Sequence, residues 1–395
     1  MRIGLVMQGG AAWAGGAEYI GNLAFALASL PREERAKFEL FVIDAKLLDA
    51  ATGEQLRPHV DGILKFNAPA KGTSFASRVR ERFLNPVREF ASFLAEHRID
   101  FLYPLTYDNT YNLGIPMPSS GDLPCAWAGW IPDFQHRHLP QFFTGREIAA
   151  RDSGIAKLLA SAPSIVLSSR SACDDLRRFF PETKSRVEVL PFSTRPRRDW
   201  FEGEPSEVQK KFHLPDRFFI VSNQFWQHKN HRVVFEALAA LRGKNVEPVV
   251  VCTGQLQDFR NKNFGNEVLQ QLHTLGIATQ VRLLGLIPRD EQIQLMRRAL
   301  AMIQPSLFEG WSTVVEDARC LGKRLLLSDI PVHREQSPPG AEFFDPHSPE
   351  QLAEKIAHIF SEGNPGPDIV AESAAQTTAE TATRKFAQRF LEITT

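Results

Sequence analysis

The chain has 395 residues, more than one ordinary hydrophobic core accommodates, since single cores stop growing near about 250–300 residues. Hydrophobic residues make up 43% and charged residues 23%, as is typical of a globular protein, and two domains are expected. Lys and Arg number 46, as do Asp and Glu, so the net charge gives no reason to expect a nucleic acid partner.

Short apolar segments alternate with amphipathic segments from the start of the chain, which is the pattern of a doubly wound α/β sheet. In the first half, strands are predicted at residues 2–7, 40–44, 101–105, 125–131 and 164–168. Helices are predicted between them, at residues 17–30, 77–97 and 171–180.

A polar stretch with several prolines then predicts a linker, and the alternation starts again after it. Strands are predicted at residues 218–222, 248–253, 281–284, 301–304 and 324–327. The intervening helices are predicted at residues 232–241, 266–275, 290–299, 313–320 and 349–361. A final segment ends in a predicted helix near residues 381–391 and could pack on either domain.

The most informative segment runs from Pro305 to Ala318. An apolar strand ends there, the pair Glu309 and Gly310 opens a loop, and a helix begins with Glu316 and Asp317 near its start. Backbone N–H groups at a helix start bind phosphate or sugar hydroxyl groups, and glycine allows close approach of the backbone. The pattern suits a nucleotide sugar, although acidic residues are also favoured at helix starts that bind nothing.

Glycines join the first predicted strand to the first predicted helix, notably Gly9, Gly10, Gly15 and Gly16. Such glycines let a backbone approach an anionic or sugar ligand, and they can also simply form a tight turn. Their spacing does not fit the dinucleotide pattern Gly-x-Gly-x-x-Gly, which disfavours a nicotinamide-dependent dehydrogenase.

Two polar loops follow other predicted strands. One carries Asp133, His136 and His138, and it forms either a polar wall of a cleft or a loop whose histidines cap helices. The other carries Lys229, which could reach a diphosphate as a point charge or lie exposed.

In their order and spacing these motifs resemble the retaining nucleotide-sugar glycosyltransferases of family 4, of the type called glycosyl transferases group 1. The resemblance is carried by Gly15-Gly16-x-Glu18, by Pro132-Asp133-Phe134, by the segment from Asn223 to Asn230, and by Glu309-Gly310-Trp311-Ser312 with Asp317-Ala318. It covers the chain from the glycine loop to Pro349.

The resemblance implies the GT-B fold, an α/β architecture of two doubly wound Rossmann-like domains that face each other across a cleft. Residues 1–192 would form the acceptor-side domain, 193–215 the linker and 216–365 the nucleotide-sugar-binding domain. Residues 366–395 would form a helical segment, with a return to the N-terminal domain as one option.

The resemblance also implies a set of site residues. The catalytic group comprises Glu309, Lys229, Asp133 and His136. The donor-binding group comprises Gly15, Gly16, Gln224, His228, Lys229, Gly285, Ile287, Glu309, Gly310, Trp311, Ser312, Thr313, Glu316 and Asp317.

Three positions depart from the family pattern. Gln224 stands where the family has arginine; a charged hydrogen bond is worth about 1.5–3 kcal/mol, so His228 or another basic residue would replace it. Pro132 stands where the family has histidine, so His136 would take over its polar role. Asp317 aligns with the ribose-binding glutamate and is one methylene shorter, so either Asp317 or Glu316 would hold the ribose.

The implied reaction moves a hexose-type sugar from a UDP- or GDP-linked donor to a hydroxyl of a glycan or glycolipid, as in bacterial surface polysaccharide assembly. Stabilising the departing diphosphate would do most of the chemistry. The sequence has no Asp-x-Asp motif, so neither a metal nor another cofactor is expected. Alternatives are a GT-B-fold nucleotide-sugar epimerase and a non-catalytic subunit that binds a nucleotide sugar or a glycan.

A cytoplasmic location is expected, because no segment approaches the roughly 18–20 apolar residues that span a bilayer and no signal peptide precedes the first strand. The four scattered cysteines fit buried thiols in a reducing compartment. Residues 77–97 combine an apolar stripe with Arg78, Arg80, Arg82 and Arg88. This stretch could contact the inner membrane surface, although a core-facing helix with a solvated basic face is the preferred interpretation.

Overall fold

A computed structural model of the chain describes residues 1–9, 14–46, 48–67, 85–107, 115–119, 121–258 and 260–395. These residues form two compact units. The first unit contains Met1–Phe134, Gly145–Ser193 and Ala382–Thr395, and the second contains Gln135–Thr144 and Thr194–Thr381.

The first unit is built on a parallel sheet. Its strands are β1 (Arg2–Val6), β2 (Glu39–Asp44), β3 (Gly62–Lys65), β4 (Phe101–Leu105), β5 (Ala126–Ile131), β6 (Ser164–Leu167) and β7 (Arg186–Val189). The strand order is β3-β2-β1-β4-β5-β6-β7, and each neighbouring pair is parallel. The sheet is therefore doubly wound, with its change of direction between β1 and β4.

Helices up to residue 179 are α1 (Ala14–Ala28), α2 (Arg32–Arg35), α3 (Ala50–Leu56), α4 (Pro86–Glu96), α5 (Gln135–His138), α6 (Gly145–Ser161) and α7 (Arg170–Phe179). Of these, α5 belongs to the second unit. Helix α4 starts at a proline whose preceding residue, Asn85, accepts from the backbone N–H of Val87 at 3.0 Å, an ordinary N-cap.

Helix α4 contains the part of the predicted basic and apolar stretch that the structure describes. Phe90 and Leu94 are buried in the core of the first unit, and Arg88 is exposed, as a core-facing helix requires. Arg78, Arg80 and Arg82 lie outside the described residues. None of the helices within the described residues is both long and apolar enough to cross a membrane.

The second unit is built on another parallel sheet. Its strands are β8 (Phe218–Ser222), β9 (Val249–Thr253), β10 (Val281–Gly285), β11 (Met302–Gln304), β12 (Leu325–Ser328) and β13 (Ala341–Phe344), in the order β10-β9-β8-β11-β12-β13. Every residue of β8, β11 and β12 is buried, which explains their nearly continuous apolar sequences.

The remaining helices are α8 (Arg198–Glu202), α9 (Pro205–Lys211), α10 (His231–Arg242), α11 (Phe264–Thr274), α12 (Arg289–Arg298), α13 (Thr313–Cys320), α14 (Pro331–Gln336), α15 (Pro349–Glu362) and α16 (Ile369–Ile393). Helices α8 and α9 occupy the stretch predicted as a linker. Helix α16 begins at Ile369, earlier than predicted, and its last part belongs to the first unit.

The two doubly wound α/β units confirm the predicted fold class. The strands that the sequence did not predict, β3, β7 and β13, are all at sheet edges. They contain polar or partly exposed positions, as in the Arg-Val-Glu-Val sequence of β7, so they lack the apolar run of a central strand.

Candidate functional site

The second sheet changes its direction of winding at β8. Strands β9 and β10 lie on one side of β8, and β11, β12 and β13 lie on the other. Ligands of doubly wound sheets bind at such a point, outside the carboxyl ends of the strands. Nδ2 of Asn223, just after β8, donates to Oε1 of Gln304, the last residue of β11, at 2.7 Å. This buried contact joins the two strand ends that flank the switch point.

A nearly buried carboxylate, Glu309, lies beside this contact with 9% of its side chain exposed. Its Oε1 is 2.6 Å from Nζ of Lys229 and accepts hydrogen bonds from Oγ of Ser306 at 2.7 Å and Nε2 of Gln304 at 2.9 Å. A charge so shielded from water requires a partner of opposite charge and further hydrogen bonds. Glu309 has both, and Lys229, which the sequence also singled out, is its cationic partner.

Lys229 is held in place by the turn in which it lies. It ends a 3₁₀ turn, Gln227–Lys229, that is followed by Asn230 with a left-handed φ of 55°. Asparagine tolerates this conformation better than most residues. Nδ2 of Asn230 donates to the carbonyl oxygens of Pro305 at 3.0 Å and Pro346 at 2.9 Å. The turn is thereby fastened to the segment that leads to Glu309.

The start of α13 is fixed by two side chains. Oγ of Ser312 caps the helix by accepting from the backbone N–H of Val315 at 3.4 Å. Gln336, the last residue of α14, accepts from the N–H of Ser312 at 3.2 Å and donates to its carbonyl oxygen at 3.0 Å. Gly310, Trp311 and Thr313 are half-buried beside it. The first turn of α13 therefore presents its N–H groups in a defined position next to Glu309.

Glu316 lies on the side of α13 that faces α14. Its Oε1 accepts from Nε2 of Gln336 at 2.9 Å and is 3.4 Å from Nη2 of Arg319. Burial raises the pKa of Glu316 to about 7; Arg319 and Gln336 lower it, and Asp317 raises it further. Burial thus outweighs the nearby guanidinium, and the proton is released close to neutral pH.

Asp317 faces the other way, toward α12. Its Oδ2 is 2.6 Å from Nη2 of Arg289 in an ion pair without hydrogen-bond alignment, and its side chain is fully buried. Its Oδ1 has no hydrogen-bond partner among the described residues. Nη1 of Arg289 donates to Oε1 of Gln292 at 2.9 Å, and its guanidinium lies 5.4 Å from the ring of Trp200. Because α12 follows β10, Asp317 lies on the β10 side of α13.

A buried histidine lies behind Glu309. Nδ1 of His333, on α14, is 2.9 Å from the carbonyl oxygen and 3.1 Å from Oγ of Ser328, the last residue of β12. Oγ of Ser328 in turn donates to the carbonyl oxygen of Ser306 at 2.6 Å. Burial lowers the pKa of His333 to about 4, with Glu309 acting to raise it and Lys229 to lower it.

Several residues of this cluster are not among the predicted site residues, namely Arg289, Gln304, Ser306, Ser328, His333 and Gln336, although Ser306 lies within the segment from Pro305 to Ala318. For all of them except Gln336 the signal was positional, because each lies at or within five residues of the carboxyl end of an apolar strand; Gln336 instead ends helix α14. Ser328 ends the buried strand β12, and His333 lies five residues later in the segment Ser-Asp-Ile-Pro-Val-His.

Other predicted donor-binding residues also lie where the carboxyl ends of the second sheet's strands meet. Oε1 of Gln224 accepts from the backbone N–H of Gln255 at 2.9 Å, which holds the loop after β8. His228 is buried, with 4% exposure. Gly285 has a φ of 69°, a conformation that favours glycine, and a Cβ there would meet nothing within 4 Å. Ile287 is half-buried, two residues further on.

The predicted site residues of the first unit lie in a helix and after a strand. Gly15 and Gly16 are in the first turn of α1 and not in a loop, while residues 10–13 of the glycine motif lie outside the described residues. Asp133 follows β5, with its Oδ1 3.7 Å from Nη1 of Arg151.

Two histidines of α5, in the second unit, differ sharply in exposure. His136 is fully buried, with its ring centroid 6.3 Å from that of Phe143. His138 is exposed, and its ring stacks on Phe308 with a centroid distance of 5.0 Å. Since Phe308 immediately precedes Glu309, the His138 ring contacts the loop that carries Glu309.

Across the part of the chain that the structure describes, no group of three or more His, Cys, Asp or Glu side chains is placed to hold a metal ion.

Comparison with known families identifies the second unit. Residues 204–377 match the family model described as Glycosyl transferases group 1. The second unit carries a glycosyl transferases group 1 domain. Lys229, Glu309, Glu316, Asp317 and the rest of the cluster described above all lie within the matched residues. No curated protein matches the sequence.

Solved structures resemble the whole chain. HepE from Anabaena, in complex with UDP and glucose, is 17% identical, with 100% of this chain and 99% of that chain covered and a TM-score of 0.68. Sucrose-phosphate synthase from Thermosynechococcus elongatus is 15% identical, with 98% and 94% covered and a TM-score of 0.62. WaaG, a glycosyltransferase involved in lipopolysaccharide biosynthesis, is 15% identical, with 98% and 95% covered and a TM-score of 0.60.

At these identities the likeness shows the fold, which is GT-B, as the sequence resemblance implied. The group 1 domain together with this fold supports a transferase.

Proposed function

We propose that the chain transfers a hexose-type sugar from a nucleotide diphosphate sugar to a hydroxyl group, with retention at the anomeric carbon. The contact between Lys229 and Glu309 at the switch point of a group 1 domain carries the proposal. A UDP-linked donor is favoured over a GDP-linked one, because HepE has been solved in complex with UDP and with UDP-glucose.

Lys229 and Glu309 would contact different parts of the donor when it binds. Lys229 would exchange part of its contact with Glu309 for the negatively charged diphosphate, assisted by the N–H groups at the start of α13. Glu309 would remain held by Ser306 and Gln304 and accept hydrogen bonds from sugar hydroxyls. Stabilisation of the leaving diphosphate would then let one of its oxygens take the proton of the acceptor hydroxyl, without a metal or another cofactor.

The ribose would be held by Asp317 and not by Glu316. Gly285 ends β10 and Ile287 lies two residues further on, and both would flank the base. Asp317 is the carboxylate on the β10 side of α13. Its Oδ1 has no hydrogen-bond partner among the described residues and could accept from a ribose hydroxyl. Glu316 instead accepts a hydrogen bond from Gln336 on the opposite side of α13.

Arg289 would supply the positive charge that Gln224 lacks. His228 is 4% exposed, whereas 28% of the Arg289 side chain is exposed at the carboxyl edge of the sheet. The backbone of Gly310 to Thr313 would contact the donor sugar and the distal phosphate. The donor-binding role of Gly15 and Gly16 stays a prediction from the family resemblance.

For the acceptor, we propose a glycan or glycolipid handled at the cytoplasmic side of the membrane, in surface polysaccharide assembly. The likeness to WaaG supports a lipid-linked acceptor, although sucrose-phosphate synthase shares the same fold. Asp133 and His136 are the acceptor-side candidates, and His138 joins them because it stacks on Phe308.

Release of nucleoside diphosphate from UDP-, GDP-, ADP- and dTDP-sugars, with and without glycan acceptors, tests the proposal. Acceptor-stimulated release that is lost in Glu309→Gln and kept in Glu354→Gln, an exposed glutamate of the same unit, is the expected result. Product NMR should show the donor's anomeric configuration. Binding without turnover would point to a non-catalytic subunit, and a changed sugar without acceptor would point to an epimerase.

A further inference from the structure

Ser328 determines which ring nitrogen of His333 carries the proton. The carbonyl oxygen of Ser328 can only accept, and it lies 2.9 Å from Nδ1. The hydroxyl of Ser328 cannot supply a proton to Nδ1, because it donates to the carbonyl oxygen of Ser306 at 2.6 Å. Both contacts therefore require the Nδ1–H tautomer, and Nε2 is left as an acceptor.

Nε2 has no hydrogen-bond partner among the described residues, although it is buried and the residue as a whole is 0% exposed. Buried polar atoms in folded proteins are nearly always paired, so an unpaired acceptor needs an explanation. A hydrogen-bond donor supplied by a ligand is one.

The surroundings of His333 belong to the candidate site. Hydrogen bonds run from His333 through Ser328 to Ser306, whose hydroxyl donates to Glu309. Glu309 and Lys229 are also the two charged groups that act on the imidazole. Nζ of Lys229 donates to Glu309, and it makes no hydrogen bond to Nε2, which has no partner among the described residues.

The chemistry of Nε2 selects among the parts of a nucleotide sugar. An ionised phosphate oxygen cannot donate a hydrogen bond, whereas a sugar hydroxyl can donate to Nε2 and accept from a neighbour. We propose that Nε2 of His333 accepts a hydrogen bond from a hydroxyl of the transferred sugar, and so helps select that sugar. This inference rests on the proposed donor class and adds a specificity residue to it.

Two substitutions test the two ring nitrogens of His333 one at a time. His333→Asn places an amide N–H near the position of Nδ1 and can keep the contact with Ser328, but it has no acceptor at the position of Nε2. His333→Gln can place its carbonyl oxygen near Nε2 and loses the donor to Ser328. Calorimetric titration of the full chain with UDP-glucose and UDP, and with GDP-mannose and GDP, compares the variants.

We expect His333→Asn to weaken the binding of the sugar nucleotide about tenfold while binding of the matching nucleoside diphosphate changes less than about twofold, as loss of one neutral hydrogen bond implies. His333→Gln should bind the sugar nucleotide within about twofold of wild type and unfold at a lower temperature. Equal weakening of both ligands by His333→Asn, or no weakening of either, would overturn the inference.

The wild-type titrations separate this inference from the proposed function. If the wild type binds no nucleotide sugar, the proposed function is wrong and this inference with it. If the wild type binds and His333→Asn binds equally well, only the role of His333 is wrong.

A spectroscopic measurement covers the case in which the variants do not fold. In ¹⁵N-histidine-labelled wild type, His333 should show the Nδ1–H tautomer, and its Nε2 signal should move on addition of UDP-glucose but not of UDP. An Nε2–H tautomer, or no response to the sugar, would contradict the assignment.

Discussion

Replacing Glu316 by glutamine should make the second unit more stable at pH 8 and change its stability by less than about 1 kcal/mol at pH 5. The side chain is 3% exposed, and burial raises its pKa from the ordinary 4.5 to about 7. In the unfolded chain the carboxyl releases its proton near pH 4.5. Between that pH and about 7, the folded protein therefore holds more protons than the unfolded protein, and its stability falls as the pH rises.

The size of this effect follows from the pKa difference. One pKa unit corresponds to about 1.4 kcal/mol, so the ionised carboxylate destabilises the folded state by up to about 3 kcal/mol above pH 7. Below about pH 4.5 the carboxyl is protonated in both states and the effect disappears. Glutamine never ionises, and its carbonyl oxygen can still accept from Nε2 of Gln336.

Urea unfolding at several pH values between 5 and 8, followed by tryptophan fluorescence, measures the difference. The gap between Glu316→Gln and wild type should open as the pH rises, whereas the exposed control Glu354→Gln should show none. A gap of equal size at both pH values, or a variant less stable than wild type at pH 8, would refute this reasoning.

Three further outcomes are expected. Glu309→Gln should lower kcat/KM at least about 100-fold through the lost charge at the donor sugar, with a small change in melting temperature, and an equal loss of both would indicate a structural role. Asp317→Asn should bind UDP and 2′-deoxy-UDP equally, whereas wild type should prefer UDP; an unchanged preference would remove Asp317 from the ribose site. Gly254→Ala should destabilise the second unit by about 1–3 kcal/mol, because φ is +113° and the new Cβ would lie 2.2 Å from the carbonyl oxygen of Asn223. The helical control Gly21→Ala, where nothing lies within 4 Å, should be neutral or stabilising in the same thermal assay, and equal losses would contradict the strain argument.

Local sequence patterns were enough to predict the central strands of both parallel sheets. They also predicted which residues lie where the carboxyl ends of the second sheet's strands meet. Central strands such as β8 and β12 are buried along their whole length, so their apolar runs are visible without a structure. Because parallel strands end at the same edge, polar residues after these runs could be placed together. Lys229 and Glu309, 80 positions apart, were predicted at this edge on that basis and by resemblance, and the structure brings them to 2.6 Å.

Only the tertiary structure decided what each side chain of the site faces. Glu316 and Asp317 are adjacent carboxyl residues on one helix, yet successive helical positions point about 100° apart, so one meets Gln336 and the other Arg289. Helix periodicity gives that angle but not the neighbour on either side. His333 likewise became a specificity candidate only because β12 and α14 bring its imidazole against Ser328, a contact that defines its tautomer and that no local pattern encodes.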